Sequence, residues 1–183
     1  MKKIFAILAL ALTGTAFAAD YVSVDVDAVR GLKGASDSTA QYVRAGKGFG
    51  NYQFGLQSRT ARIDGGGMLN SLELTASNAK VSAFGITPFV GVGYDNGFNA
   101  VGGSDYRYGL VGATTGAKVG PGFMLAGVKT RVGSTEAHDT KQTVAFATYS
   151  VPVAKGVSVN LNASKSYQDI KENALGLGLA FNF

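Results

Sequence analysis

The feature that most constrains this chain is strict alternation of apolar residues with small or polar ones, clearest in Asn173 to Phe183, NALGLGLAFNF. Leu175, Leu177, Leu179, Phe181 and Phe183 alternate there with Gly176, Gly178, Ala180 and Asn182. Successive side chains on a strand point to opposite faces, so one face of this segment is wholly apolar and the other small or polar. At the edge of an open sheet such a strand would present an unpaired, aggregation-prone apolar edge. A sheet closed on itself, with this strand paired to the first, has no such edge.

The alternation recurs along the chain. Val22, Val24, Val26 and Ala28 alternate with Ser23, Asp25 and Asp27, and a turn region follows from Gly31 to Ser38. Thr39 to Lys47 carries Tyr42 and Arg44 on one side and Val43 and Ala45 on the other, before a turn at Gly48 to Asn51. Tyr52, Phe54 and Leu56 alternate with Gln53, Gln57 and Arg59 up to three glycines at 65 to 67, and Leu72, Leu74 and Ala76 with Ser71, Glu73 and Thr75. Phe84, Ile86, Val90 and Val92 lead to a turn expected at Asp95-Asn96-Gly97, with an irregularity expected at Pro88, which cannot donate to a ladder. Tyr106, Tyr108 and Leu110 form one face of the next strand and Arg107 and Gly109 the other. Met124, Ala126, Val128 and Val132 alternate with Gly127, Lys129 and Arg131, and Val157, Val159, Leu161 and Ala163 with Ser158, Asn160, Asn162 and Ser164. Between them the strand Gln142 to Val151 is ambiguous, because Val144 and Phe146 argue for one face and Tyr149 and Val151 for the other. These segments predict about ten strands of roughly 9 to 14 residues, near the length of a tilted membrane strand. No segment has a 3.6-residue period, so no helix is expected after the first residues.

Those first residues read as an export signal. Lys2 and Lys3 precede an apolar run from Ile4 to Leu12, then Ala16-Phe17-Ala18 with small residues at the cleavage-determining positions. Cleavage after Ala18 divides the chain into a signal peptide, 1–18, and one barrel domain, 19–183. Loss of the two lysines lowers the formal charge from +5 to +3, and the remaining basic residues lie singly, so no nucleic-acid partner is expected. The absence of Cys excludes a disulfide framework and thiolate metal sites.

The direction of the apolar face decides the class. A soluble barrel points it inward, which would suit a periplasmic protein binding an apolar ligand. A membrane barrel points it at lipid and fills its lumen with polar groups. The polar faces here are rich in Gly, Ala, Ser and Asn, which suits a cramped interior better than a water-facing surface. The aromatics also gather at strand ends, as in two interfacial girdles. Phe49, Tyr52, Phe123, Tyr149, Phe181 and Phe183 fall near one set of turns, and Tyr94, Phe98, Tyr106, Tyr108 and Tyr167 near the other. The expectation is an all-β, transmembrane, antiparallel up-and-down barrel of about ten strands, with eight as the alternative. The chain resembles the small bacterial outer-membrane β-barrel proteins of the OmpA/OmpX-like kind, in its pattern and in an aromatic C-terminal strand. That resemblance implies an outer-membrane location, contact with outer-membrane lipid and lipopolysaccharide, and a monomer. It also implies that Leu179, Phe181 and Phe183 act as the signal read by the barrel-assembly machinery.

The inward faces are expected to hold a charge cluster of Asp25, Asp27, Arg44, Arg59, Glu73, Arg107, Lys129 and Arg131. Buried charges must pair or stay hydrated. Asp25 and Asp27 lie one strand from Arg44, and Arg59 one strand from Glu73. Arg107 and Arg131 face no acid on their own strands, so loop acids Asp105, Glu136 and Asp139 are expected to balance them. His138 beside Glu136 and Asp139 lacks a second His, a nucleophile and a surrounding wall, so no catalytic site is expected. Asp95-Asn96-Gly97 is turn chemistry before it is a calcium loop, and the glycines at 65 to 67 follow no strand-to-helix pattern. No metal or cofactor is expected. The function anticipated is a non-enzymatic barrel with a side-chain-filled lumen, for envelope integrity or surface interaction. The alternative is a narrow pore with weak anion preference set by Arg107, Lys129 and Arg131.

Overall fold

Ten antiparallel strands close on themselves in the computed structural model, which describes residues 19–32, 36–97, 105–134, 142–168 and 171–183. They are β1 Ala19–Gly31, β2 Ser38–Phe49, β3 Tyr52–Ile63, β4 Met68–Asn78 and β5 Ile86–Gly97. The second half comprises β6 Tyr106–Val119, β7 Gly122–Ser134, β8 Gln142–Ala154, β9 Val157–Gln168 and β10 Glu172–Asn182. Each strand pairs with its sequence neighbours, and β1 pairs with β10 from Tyr21↔Asn182 to Gly31↔Glu172, which closes the barrel. The signal peptide expected over 1–18 and the group Glu136, His138 and Asp139 lie outside the described residues.

Up-and-down connectivity sorts the connections to two ends. Two-residue turns at Gly50-Asn51, Gly120-Pro121 and Lys155-Gly156 share one end with Ala19 and Phe183. The link between β4 and β5 at that end includes a short 3-10 turn, Ala79–Val81, which the sequence pattern did not anticipate. The opposite end carries the eight-residue connection between β5 and β6 and a seven-residue one between β7 and β8, the latter equal in length to the β4–β5 link.

The wall is inverted relative to a water-soluble barrel. On the outer face Val90 and Val92 are both 61% exposed, Leu175 70% and Leu177 59%. On the inner face Asp25 is 0% exposed and Asp95 1%. Small inward residues allow this, because a barrel of this size has little lumen beyond what side chains fill. Near the long-connection end the lumen holds an apolar cluster of Val29, Ala40, Tyr42, Ala61 and Ala174, with Leu69 packed against it.

Three expectations are corrected. In β6 the faces are the reverse of those anticipated: Tyr108 and Leu110 are buried and Arg107 is exposed. Asp95, Asn96 and Gly97 form no turn but continue β5, with Ser71, Asn70 and Leu69 of β4 opposite them. Pro88 causes no register shift: it stands opposite Ala113 in a continuous β5–β6 register, and the β4–β5 ladder begins one residue later at Ser77↔Phe89. Register shifts fall instead between Ala19 and Tyr21, between Tyr108 and Gly109, and between Pro152 and Ala154 near the end of β8. The ambiguous faces of β8 are also resolved. Thr148 and Ser150 bond to Asn162 and Asn160 inside the lumen, which turns Val144 and Phe146 inward and Tyr149 and Val151 outward. Of the expected girdles, Phe49, Tyr52, Phe181 and Phe183 are exposed at the short-turn end, and Tyr94 and Tyr167 at the other. Tyr108 leaves the girdle for the lumen, Phe123 lies on the lumen-side parity, and Phe98 is outside the described residues.

Candidate functional site: a cross-linked lumen

The inward positions build one polar network in the barrel's middle. Its first part follows a row of cross-strand partners, Arg44↔Gln57 and Gln57↔Glu73. Arg44 Nε donates to Gln57 Oε1 at 2.9 Å, and Gln57 Nε2 to Glu73 Oε2 at 3.2 Å. Glu73 also accepts from Lys129 Nζ on β7, across the lumen. The next position in the row, Gly93, has no side chain, and the ring of Tyr108 lies over it. Tyr108 therefore brings its hydroxyl 3.2 Å from Glu73 Oε1 and 3.0 Å from Asp95 Oδ1. Arg131 completes this side, with NH2 2.8 Å from Asp95 Oδ2 and its guanidinium 4.1 Å from the centre of the Tyr108 ring.

The second part centres on Asp25. Its Oδ2 accepts from Arg44 NH1 at 2.6 Å and from Ser23 Oγ at 2.9 Å. Its Oδ1 accepts from Asn160 Nδ2 at 3.2 Å and Asn162 Nδ2 at 2.9 Å. Those asparagines stand on β9, with β10 between them and β1, and they reach Asp25 over Gly178 and Gly176. A Cβ on Gly178 would meet the Asp25 carboxylate and lie 2.7 Å from the backbone oxygen of Val24. Ser150 and Thr148 extend the network to β8 through Asn160 and Asn162, at 2.7 and 2.9 Å. Side chains from every strand except β10 thus join in a single connected set.

The structure places the expected residues unevenly. Asp25 and Arg44 meet as anticipated from their adjacent strands. Glu73 meets Lys129 and not Arg59; Arg59 NH2 lies 3.7 Å from Glu172 Oε2. Asp27 is buried on the inner face, and its Oδ1 has no hydrogen-bond partner, as is true of Arg59 Nε. Arg107 does not belong to the lumen, for the β6 faces are reversed. Arg131 is balanced by Asp95 within the wall, where loop acids had been expected. Of those acids, Asp105 accepts from Tyr94 OH at 2.5 Å, and Glu136 and Asp139 lie outside the described residues. Leu179, Phe181 and Phe183 are exposed on or beside the outer face of β10.

The expected cluster lacks Asp95, Tyr108 and Gln57, the uncharged partners Ser23, Thr148, Ser150, Asn160 and Asn162, and Glu172 as the partner of Arg59. Asp95 shares the parity of Gly91 and Gly93, and continuing that alternation past the apparent turn would have found it. The glycine at 93 was the signal for Tyr108, since a gap in an inward row invites a ring from the next strand. Asp25, Glu73 and Asp95 each accept from a cation and from further donors. The arrangement therefore ties the wall together and presents no activated nucleophile. Among the described residues no three His, Cys, Asp or Glu side chains gather as metal ligands.

No protein-family profile matches the chain, and no curated protein matches it. Among solved structures it is similar to the β domain of the Bordetella autotransporter BrkA, with a TM-score of 0.52 and 11% identity. That match covers 89% of this chain and 98% of the other. The translocator domain of autotransporter NalP from Neisseria meningitidis aligns at a TM-score of 0.47 and 13% identity, over 100% of this chain and 94% of that one. Neisserial surface protein A aligns at 0.45 and 13%, over 89% and 96%. The likeness is one of fold.

Proposed function

We propose that this chain is an integral outer-membrane β-barrel, non-enzymatic and monomeric, that serves envelope integrity or surface interaction and passes no solute through its lumen. The observation that carries this reading is the inverted wall around a cross-linked interior. Apolar side chains exposed all round a closed barrel are stable only where the surroundings are themselves apolar, and closure leaves no backbone edge unsatisfied in lipid. Three two-residue turns stand at one end, and none at the other, which supports an orientation with the two-residue turns periplasmic. The signal peptide read over 1–18 supplies export, and Leu179, Phe181 and Phe183 supply the surface for the assembly machinery.

The same interior argues against the anion pore. Lys129 is paired with Glu73 and Arg131 with Asp95, while Arg107 stands outside. The cations that would set an anion preference are therefore neutralised or misplaced. The first test is gel mobility of heated and unheated protein refolded in detergent, where a heat-dependent shift is expected. A water-soluble monomer that never enters detergent would overturn the membrane reading. Planar-bilayer recordings test the lumen: no steady unitary conductance is expected, and channels whose selectivity follows Lys129 and Arg131 would overturn the sealed interior.

A further inference from the structure

We propose that the outer wall at the long-connection end of β9, β10 and β1 is a binding site for a phosphorylated lipid of the outer leaflet. Its phosphate would rest on Arg30 and Lys165 and an acyl chain in the groove below them. The inference rests on the membrane reading of the barrel and adds a specific ligand to it.

Cross-strand register sets the headgroup end. Arg30 lies opposite Asn173, and Asn173 opposite Lys165, so these three outward-facing side chains stand in one row. All three are exposed. Two inter-strand spacings separate the backbones of the two cations, about 10 Å, a span that two flexible basic side chains can close around one phosphate group. Neither cation has a carboxylate within ion-pair distance among the described residues; Lys165 Nζ instead lies 5.4 Å from the centre of the Tyr167 ring.

The acyl end follows from the same register. Two residues further from the long connections, the row reads Ala28, Leu175, Ala163 and Ala147. These residues line a groove that continues past Leu161 and Leu177, with small side chains beside the leucine ridge. Basic residues on the lipid face are disfavoured at mid-depth and cost little near the interfaces, the depth at which lipid phosphates lie. The cationic row above an apolar groove thus matches the two ends of an anionic lipid. A second copy of the chain fits it less well, since a two-fold contact over this row would set like charges against each other. Free phosphate would leave the groove unused.

The test is native mass spectrometry of the protein in dodecyl maltoside micelles, titrated with bisphosphorylated lipid A, with phosphatidylcholine and with inorganic pyrophosphate. Wild type is expected to retain lipid A. The double variant Arg30→Gln, Lys165→Gln should lose affinity roughly thirtyfold, the combined effect of two surface cations on an anionic lipid. Ala163→Phe, which fills the groove and keeps both charges, should also weaken retention, whereas Arg62→Gln on β3 should leave it intact. Wild-type affinity in the double variant, equal retention of phosphatidylcholine, or full displacement of lipid A by pyrophosphate would overturn the site. Each variant is checked for the heat-dependent mobility shift. Failure of wild type to shift would refute the membrane barrel itself, while a shifting wild type that ignores lipid A would refute only this site.

Discussion

Asp25 is enclosed by donors from three strands, and among the described residues Arg44 is the cation at ion-pair distance from it. Removing one partner of a buried pair leaves the other charged without compensation, which typically costs about 3–5 kcal/mol. Arg44→Gln and Asp25→Asn should each destabilise the barrel on that scale in a urea titration of refolded protein. The double variant should lose less than the sum of the two, because the second change removes a charge that the first had stranded. Strict additivity would mean that the pair does not act as a unit. Gly178 carries a different constraint. A methyl group there meets the Asp25 carboxylate and backbone, so Gly178→Ala should cost about 1–3 kcal/mol by overpacking. Wild-type stability of that variant would show that the wall gives way more easily than the register implies. How far the cluster could be read from sequence also separates at this scale. Alternation reveals which face a residue takes: Asp25, Asp27 and Glu73 are buried, and Arg44 is part-buried beside Asp25. It does not reveal which partner across the lumen a long side chain reaches: adjacency on neighbouring strands points Glu73 to Arg59, and Lys129 from β7 binds it instead.

At the scale of the strand, the outer face should show depth. Leu177 lies mid-strand in β10 and is 59% exposed on the outside, so Leu177→Arg should cost about 2–4 kcal/mol if it faces the bilayer midplane. Gln41 is also outward but sits near the long-connection end of β2, where Gln41→Lys should cost about 0–1 kcal/mol. Unfolding titrations in lipid vesicles compare the two, and equal penalties would place the apolar band wrongly. Strand legibility followed composition. β1, β9 and β10 alternate Val or Leu with small polar residues, and their faces were unambiguous. In β6 the pattern misleads, because Tyr108 is apolar by count, yet its hydroxyl finds two carboxylates inside the lumen. In β5 an Asp-Asn-Gly run favours a turn in isolation, and the ladder with β4 overrides that preference.

For the whole molecule the ring closure between β1 and β10 is directly testable. The chain contains no Cys, so the pair Val24→Cys, Leu179→Cys would introduce the sole thiols, at positions opposite each other in the register. Oxidation should cross-link them in the folded protein and change its denatured mobility; an absence of cross-link in protein that still shows the heat shift would contradict the closure. That closure also has a temporal meaning. The hydrogen bonds of β1 toward β10 are formed between the two most distant parts of the sequence, the kind of contact that slows folding most. Until β10 arrives, β1 and β9 each hold an open edge that lipid cannot satisfy. On the membrane reading proposed above, a chain lacking β10 would leave both edges unpaired in lipid, which favours completing insertion and folding together. Closure of the ring is therefore a matter of rate as much as of the stability of its product.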